Sequence, residues 1–231
     1  MRRRFFLTTM LSTGAARAAA ALDFPYGSSH IFAVYRKGEL IGHHALRFRH
    51  EDGKQYVATS LDLAVKALGV TLFRYNYRCH EVWEGSTFLR LESEANDNGT
   101  KYAVKAEHSA SAVAVDRLEP AASSPGGQES VQPATEVRDK LPAGILPSTH
   151  WNRLQVEQSA LLNTQYGTIS KIKVSVVGQE AVKTVTHTLT ATRYDYTGDL
   201  RFSQWFDDRN RWVKASFPAP DGSIIDYILQ E

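Results

Sequence analysis

A single cysteine, Cys79, rules out an intrachain disulfide and any zinc site built on cysteine pairs. Basic charge is also scarce once the start of the chain is set apart. The first 21 residues hold Arg2, Arg3, Arg4 and Arg17 and no acid, so the 27 basic residues fall to 23 against 25 acidic, a charge of −2. A nucleic-acid footprint needs a basic surface, and nucleic acid is therefore set aside as a partner. No apolar run approaches the roughly 20 residues a membrane-spanning helix needs, so no transmembrane anchor is expected.

The standard signatures of chemistry are missing as well. There is no G-x-S-x-G elbow, phosphate loop, G-x-G-x-x-G or H-E-x-x-H. The eight histidines are scattered singly except His43-His44. Neighbours in a strand point to opposite faces, so that pair cannot readily chelate one metal. Each lone histidine reads as a surface or satisfied core residue, and neither metal nor cofactor is expected. Asn96-Asp97-Asn98-Gly99 and Asp207-Asp208-Arg209-Asn210 resemble calcium loops, but the required glutamate does not follow at the right spacing, and hairpin turns explain both. Ser148 and His150, two apart on an expected helix, point in different directions. No catalytic residue is assigned.

The 42% hydrophobic content and ten each of Tyr and Phe indicate a globular chain. Met1 to Ala21 has a basic start, a short apolar stretch and a run of alanines, the layout of an export signal. Arg3-Arg4-Phe5-Phe6-Leu7 resembles the twin-arginine pattern, with the general secretory route as the alternative. A periplasmic protein is expected, with residues 22–231 as one β-rich domain. From Phe24 to Leu118, alternating runs are divided by Lys37-Gly38, Asp52-Gly53, Glu84-Gly85 and Asn98-Gly99, which are hairpin signals. A loop of Ser, Pro, Gly and Gln is expected over 119–143. Strand text resumes after residue 167, with breaks at Gly178-Gln179, Thr197-Gly198, Asp207 to Asn210 and Asp221-Gly222. There Thr184 to Thr192 place threonine at every second position, on what reads as one strand face.

The segment from Gly144 to Gly167 reads as the one helix. It begins after Pro147, Asn152 is a candidate cap with Gln155 at capping-box spacing, and Trp151, Leu154, Leu161 and Leu162 form a stripe. His150, Trp151 and Asn152 are candidates for a pocket between helix and sheet. On the strand from Thr71 to Trp83, alternation puts Phe73, Tyr75, Tyr77, Cys79 and Trp83 on one face. This is the most aromatic face in the chain, and Phe73, Tyr75, Tyr77 and Trp83 are the further ligand-binding candidates. The fold expected is mainly β: an antiparallel meander of about ten strands and one short helix.

The motifs ILPSTHWN, LLNTQYG and TGDLRFSQWFDDRNRWVKASF, with GELIGHHALRF, LFRYNYRCHEVWEG and LRLESEANDNGTKY before them, resemble a bacterial exported family of unknown function, domain-of-unknown-function family 6134. That resemblance spans nearly all of Phe24 to Glu231. It implies a periplasmic β-rich fold, more distantly similar to the lipoprotein-carrier half-barrels: a curved, open half-barrel wrapping the one short central helix. It brings no activity with it. Pro147, Ser148, His150, Trp151 and Asn152 match the family's motif without a known role. The function expected is binding of an apolar or amphipathic, lipid-like molecule between sheet and helix. The alternatives are an envelope scaffold that engages another envelope protein, and a hydrolase whose site is not visible in the sequence.

Overall fold

A computed structural model of the chain describes residues 25–120 and 134–230. The expected export signal and the centre of the expected loop lie outside the described residues. Seven strands come first: β1 (Ser29–Arg36), β2 (Glu39–Glu51), β3 (Lys54–Ala67), β4 (Val70–Glu84), β5 (Thr87–Asp97), β6 (Thr100–His108) and β7 (Ala112–Glu119). Eight follow: β8 (Thr135–Pro142), β9 (Leu146–Pro147), β10 (Ala160–Leu162), β11 (Ile169–Lys183), β12 (Thr188–Gly198), β13 (Phe202–Asp207), β14 (Trp212–Pro218) and β15 (Ile224–Leu229). Among the described residues fifteen strands replace the expected ten or so, because short strands and mid-run turns do not announce themselves in alternation.

All fifteen belong to one open, curved sheet in the order β8-β7-β6-β5-β4-β3-β2-β1-β15-β14-β13-β12-β11-β10-β9. Each strand lies beside its chain neighbours except β8 and β9, which stand at opposite edges, and at the centre the first and last strands meet, β1 pairing antiparallel with β15 from Phe32↔Leu229 to Arg36↔Ile225. The turns at Lys37-Gly38, Asp52-Gly53, Leu68-Gly69 and Asn98-Gly99 carry positive φ at both residues. That is the two-residue hairpin geometry whose twist matches the flanking strands, and it explains the Asp-Gly and Asn-Gly pairs. Asn96 Oδ1 accepts the Gly99 N–H at 2.8 Å, and Asp207 Oδ1 accepts from Arg209 and Arg211 N–H, so both acidic stretches are hairpin turns as expected.

The central helix is not there. Among the described residues no α-helix forms, and the segment 144–167 holds only a 3-10 turn, Arg153–Glu157, between β9 and β10. Asn152 does cap that turn, its Oδ1 accepting Leu154 N–H at 3.0 Å, but Gln155 turns away to Gln204 at 3.3 Å and no capping box closes. The reason is tertiary. Backbone groups an α-helix would have satisfied internally are taken by strands: Ala160–Leu162 pairs with β11, and Ser148 N–H donates to Leu162 O. Weak helix propensity yields to such pairing.

Other expectations shift in register. Residues Thr135–Pro142 of the expected loop form β8, paired along β7 from Glu119↔Thr135 to Ala112↔Pro142. Gly178 lies at a bulge inside β11 rather than at a turn, and the chain reverses at 184–187. The threonine face therefore reduces to Thr188, Thr190 and Thr192 on β12, while Thr184 is buried in the turn. The core lies on the inner face of the sheet, where Phe32, Leu46, Trp83, Leu91, Phe206 and Trp212 are fully buried.

Candidate functional site

Segment 145–167 leads from β8, at one edge of the sheet, to β11 near the other, contributes β9 and β10 on the way, and crosses the inner face. It is held by polar contacts to both halves of the sheet. Thr164 Oγ1 accepts from Tyr77 OH at 2.7 Å, Thr164 O from Ser93 Oγ at 2.5 Å, and Gln165 Oε1 from Tyr75 OH at 2.8 Å. From the other half, Gln204 Nε2 donates to His150 O at 2.6 Å, and Arg153 donates to Tyr194 OH at 3.0 Å. The segment also fills the gap beside the last strands of the first half: a Cβ on Gly167 would stand 2.9 Å from Arg117 Cβ and 3.2 Å from Val115 Cγ1 on β7.

The tightest fixture is Glu81, fully buried on β4. Its Oε1 accepts the Trp151 indole N–H at 3.0 Å, and its Oε2 accepts from Trp83 Nε1 at 3.0 Å and Thr149 Oγ1 at 3.1 Å. Burial pushes this carboxyl up to about 7, while the three donors hold it from rising further. Trp83 and Trp151, expected to border a ligand, pack edge to face at 5.3 Å around this carboxylate instead. Asn152 is buried as the turn's cap. None of these three lines the cavity beside the crossing segment.

That cavity, of about 390 Å³, lies between the crossing segment and strands of both halves. Leu61, Leu63, Phe202, Phe217, Ile225 and Tyr227 give it apolar walls. Of the expected ligand-binding residues it brings together Tyr75, Tyr77 and His150; Phe73 lies farther out on β4, half-buried. The two tyrosine hydroxyls are spent on Gln165 and Thr164 and anchor the segment. Free hydrogen-bonding capacity comes from residues the sequence did not single out. Both ring nitrogens of His44, Thr59 Oγ1 and Gln165 Nε2, along with His150 Nδ1, are buried without a hydrogen-bond partner among the described residues.

His44 points inward beside Leu46 and Phe48 while His43 faces out, so the opposed orientation expected of the pair holds. The His44 ring itself meets no hydrogen-bond partner among the described residues. Buried polar groups are nearly always paired, so an inward histidine with two open nitrogens marks a place where a ligand group can go. Burial lowers His44 to about 3, helped by the neighbouring His150 and His30, and lowers His150 to about 4. Both rings are neutral at ordinary pH, each offering one donor and one acceptor. The formal charges among the lining residues, Asp199 and Arg201, are exposed at the rim. His150 adopts φ 68, a left-handed conformation unusual for a non-glycine residue, which places its ring between Phe202 and Phe217 at 5.0 and 5.5 Å.

Among the described residues no hydrogen bond joins Ser148 to His150: Ser148 Oγ accepts Thr164 N–H at 3.3 Å. No group of three His, Cys, Asp or Glu side chains there could hold a metal ion, and no helix is long and apolar enough to cross a membrane. Glu81 had a visible signal in the sequence. It occupies an inward position in the alternation of Tyr77, Cys79 and Trp83, where a carboxylate needs explaining.

Fold and cavity together define a β-barrel-like protein with a half-open, apolar-walled cavity between the crossing segment and the sheet. The chain belongs to the family "Domain of unknown function (DUF6134)", whose model matches residues 32–230. Among solved structures it is similar to the "Beta-barrel-like Protein of Domain of Unknown Function DUF1849 from Brucella abortus", with a TM-score of 0.58 at 8% identity, covering 88% of this chain and 95% of that one. At that identity the likeness is one of fold alone. No functionally curated protein matches the chain.

Proposed function

We propose that this protein binds a small amphipathic molecule in the 390 Å³ cavity, apolar body against Leu61, Leu63, Phe217 and Ile225, uncharged polar head against His44 and Thr59. The observation that carries the reading is the inward His44, whose two ring nitrogens lack partners among the described residues and face a cavity with apolar walls. A few placed polar groups in a concave apolar site are the usual composition of a ligand pocket. At the ~30 Å³ a water takes in the liquid, this volume admits about a dozen non-hydrogen atoms. That size suits a single medium-length acyl chain with a hydroxyl, ester or protonated acid head. A neutral histidine floor favours such heads over carboxylates and phosphates, whose charge would be stranded away from water. The basic, alanine-ending first 21 residues support a periplasmic setting for this binding.

The test is native mass spectrometry of the full chain, purified without detergent, followed by titration with a medium-chain monoacylglycerol. Saturable one-to-one binding is expected in wild type. Leu63→Trp, which fills the chamber, should abolish it, and His44→Leu with Thr59→Val should weaken it by about tenfold or more, the loss of one or two buried hydrogen bonds. A wild type that neither carries nor takes up such a molecule, or a Leu63→Trp variant that binds as well as wild type, overturns the reading.

A further inference from the structure

The β3–β4 hairpin outreaches its neighbours. Pairing of β2 with β3 stops at Gly42↔Leu63, and pairing of β4 with β5 stops at Tyr75↔Asp97, whereas β3 and β4 continue together to Ala67↔Val70. Residues 64–74, AVKALGVTLFR, therefore project past the strands on either side. Such a tip would ordinarily be polar. Here seven of the eleven residues are apolar, and Leu68, Val70 and Leu72 are exposed, Leu68 completely. Exposed apolar clusters on a projecting element mark a contact with something apolar.

The charge of the tip is one-sided. Lys66, opposite Thr71, and Arg74, opposite Ala64, are both exposed, engage in no ion pair among the described residues, and have no acid within 64–74. An apolar tip with cations one or two residues behind it matches the depth profile of a bilayer surface, hydrocarbon first and phosphate next. The inner face of the same hairpin also continues the cavity wall. The cross-strand pairs Leu61–Tyr77 and Leu63–Tyr75 line the chamber, and Val65–Phe73 extends the apolar stripe outward toward the tip.

We infer that the projecting β3–β4 hairpin docks this protein on a lipid bilayer bearing anionic headgroups, with Leu68, Val70 and Leu72 entering the interface and Lys66 and Arg74 meeting the phosphates. The docking does not depend on the cavity holding a ligand. It does place the outer end of the apolar stripe against the membrane.

The experiment is co-sedimentation of the full chain with vesicles of phosphatidylcholine alone and of phosphatidylcholine mixed with phosphatidylglycerol. Wild type should sediment with the mixed vesicles and be released as salt rises. Leu68→Ser/Val70→Ser/Leu72→Ser should lower partitioning by at least about tenfold. Lys66→Glu/Arg74→Glu should reduce it to the level seen with neutral vesicles. All five side chains are exposed, so unchanged circular dichroism is expected throughout. In wild type carrying Val70→Trp, emission should shift to the blue on adding mixed vesicles. Leu63→Trp, which fills the cavity, should sediment as wild type does, so failure of the ligand reading and failure of the docking show separately. The inference is overturned if wild type ignores both vesicles, if it binds the two equally, or if the triple serine variant sediments undiminished.

Discussion

Glu81 and Trp151 are 70 residues apart in the chain and meet at 3.0 Å, the indole N–H donating to the carboxylate deep inside the sheet. Trp83 and Thr149 complete the arrangement on the other oxygen. One strand of the first half thereby grips the segment that crosses the barrel, and does so with a group that is costly to bury. Such a carboxyl is worth keeping only if all its donors stay in place. Removing it while leaving those donors buried is correspondingly expensive. Glu81→Ala is expected to lower unfolding stability by about 3–5 kcal/mol in urea melts. A loss under about 1 kcal/mol would mean the segment is held elsewhere.

Coupling within the grip is measurable separately from ring packing. Trp151→Phe keeps most of the buried ring and removes the N–H. In a double-mutant cycle with Glu81→Gln, the interaction energy should be about 1–3 kcal/mol, as for buried partners in direct contact. Additivity within about 0.5 kcal/mol would show that the hydrogen bond contributes little beyond the fit of the ring. Trp151→Ala, which also empties the space between Trp83, Phe48 and Tyr26, should cost about 3–5 kcal/mol.

The pH dependence has two opposed parts. His30, His44 and His150 are pulled below 6.5, to about 4, 3 and 4, so below 6.5 the unfolded chain takes up protons that the folded one refuses. Their stabilisation is whole above pH 6.5 and is lost as pH falls. Glu81 is raised from 4.5 to about 7, so its effect has the other sign: stability rises as pH falls from 7 to 4.5. Between pH 7 and 5 each histidine removes a little under about 2 kcal/mol and Glu81 returns about 2 kcal/mol, a net loss of about 3–4 kcal/mol. Urea melts at the two pH values read this directly. His44→Leu should shrink the loss by about 2 kcal/mol, and Glu81→Gln should deepen it. A loss unaltered in His44→Leu would show that this ring titrates normally.

The hairpins of the first half were legible because their information is local: alternation, Asp-Gly and Asn-Gly all act within a few residues. The inward set on β4 followed from the same two-residue period. The crossing segment misled because its helical stripe was real at the level of spacing. Trp151 is buried and Asn152 does cap a turn, yet strands β9 to β11 supplied the backbone partners, which no window of sequence contains. The cavity was half legible. Tyr75, Tyr77 and His150 come together, but the tyrosine hydroxyls are committed to Thr164 and Gln165, contacts about ninety residues away. His44 could not be distinguished from a satisfied core histidine, because that distinction lies in which neighbours it fails to meet.

The last prediction concerns how closely β2 and β3 approach beside that histidine. Gly42 lies opposite Leu63, a cavity wall, and two residues before His44 on β2. A Cβ at position 42 would stand 1.9 Å from the carbonyl oxygen of Asp62 and 3.0 Å from Leu63 Cα, both backbone atoms that no rotamer change can move aside. Gly42→Ala must therefore spread the two strands, and it is expected to destabilise the fold by about 1–3 kcal/mol or more. It should also weaken monoacylglycerol binding, because Leu63 and His44 move apart. Gly144→Ala is the control: a Cβ there meets nothing within 4 Å, and its effect should lie within about 0.5 kcal/mol. If Gly42→Ala melts and binds like Gly144→Ala, β2 and β3 yield at this point without disturbing the chamber, and the wall is softer than its packing implies.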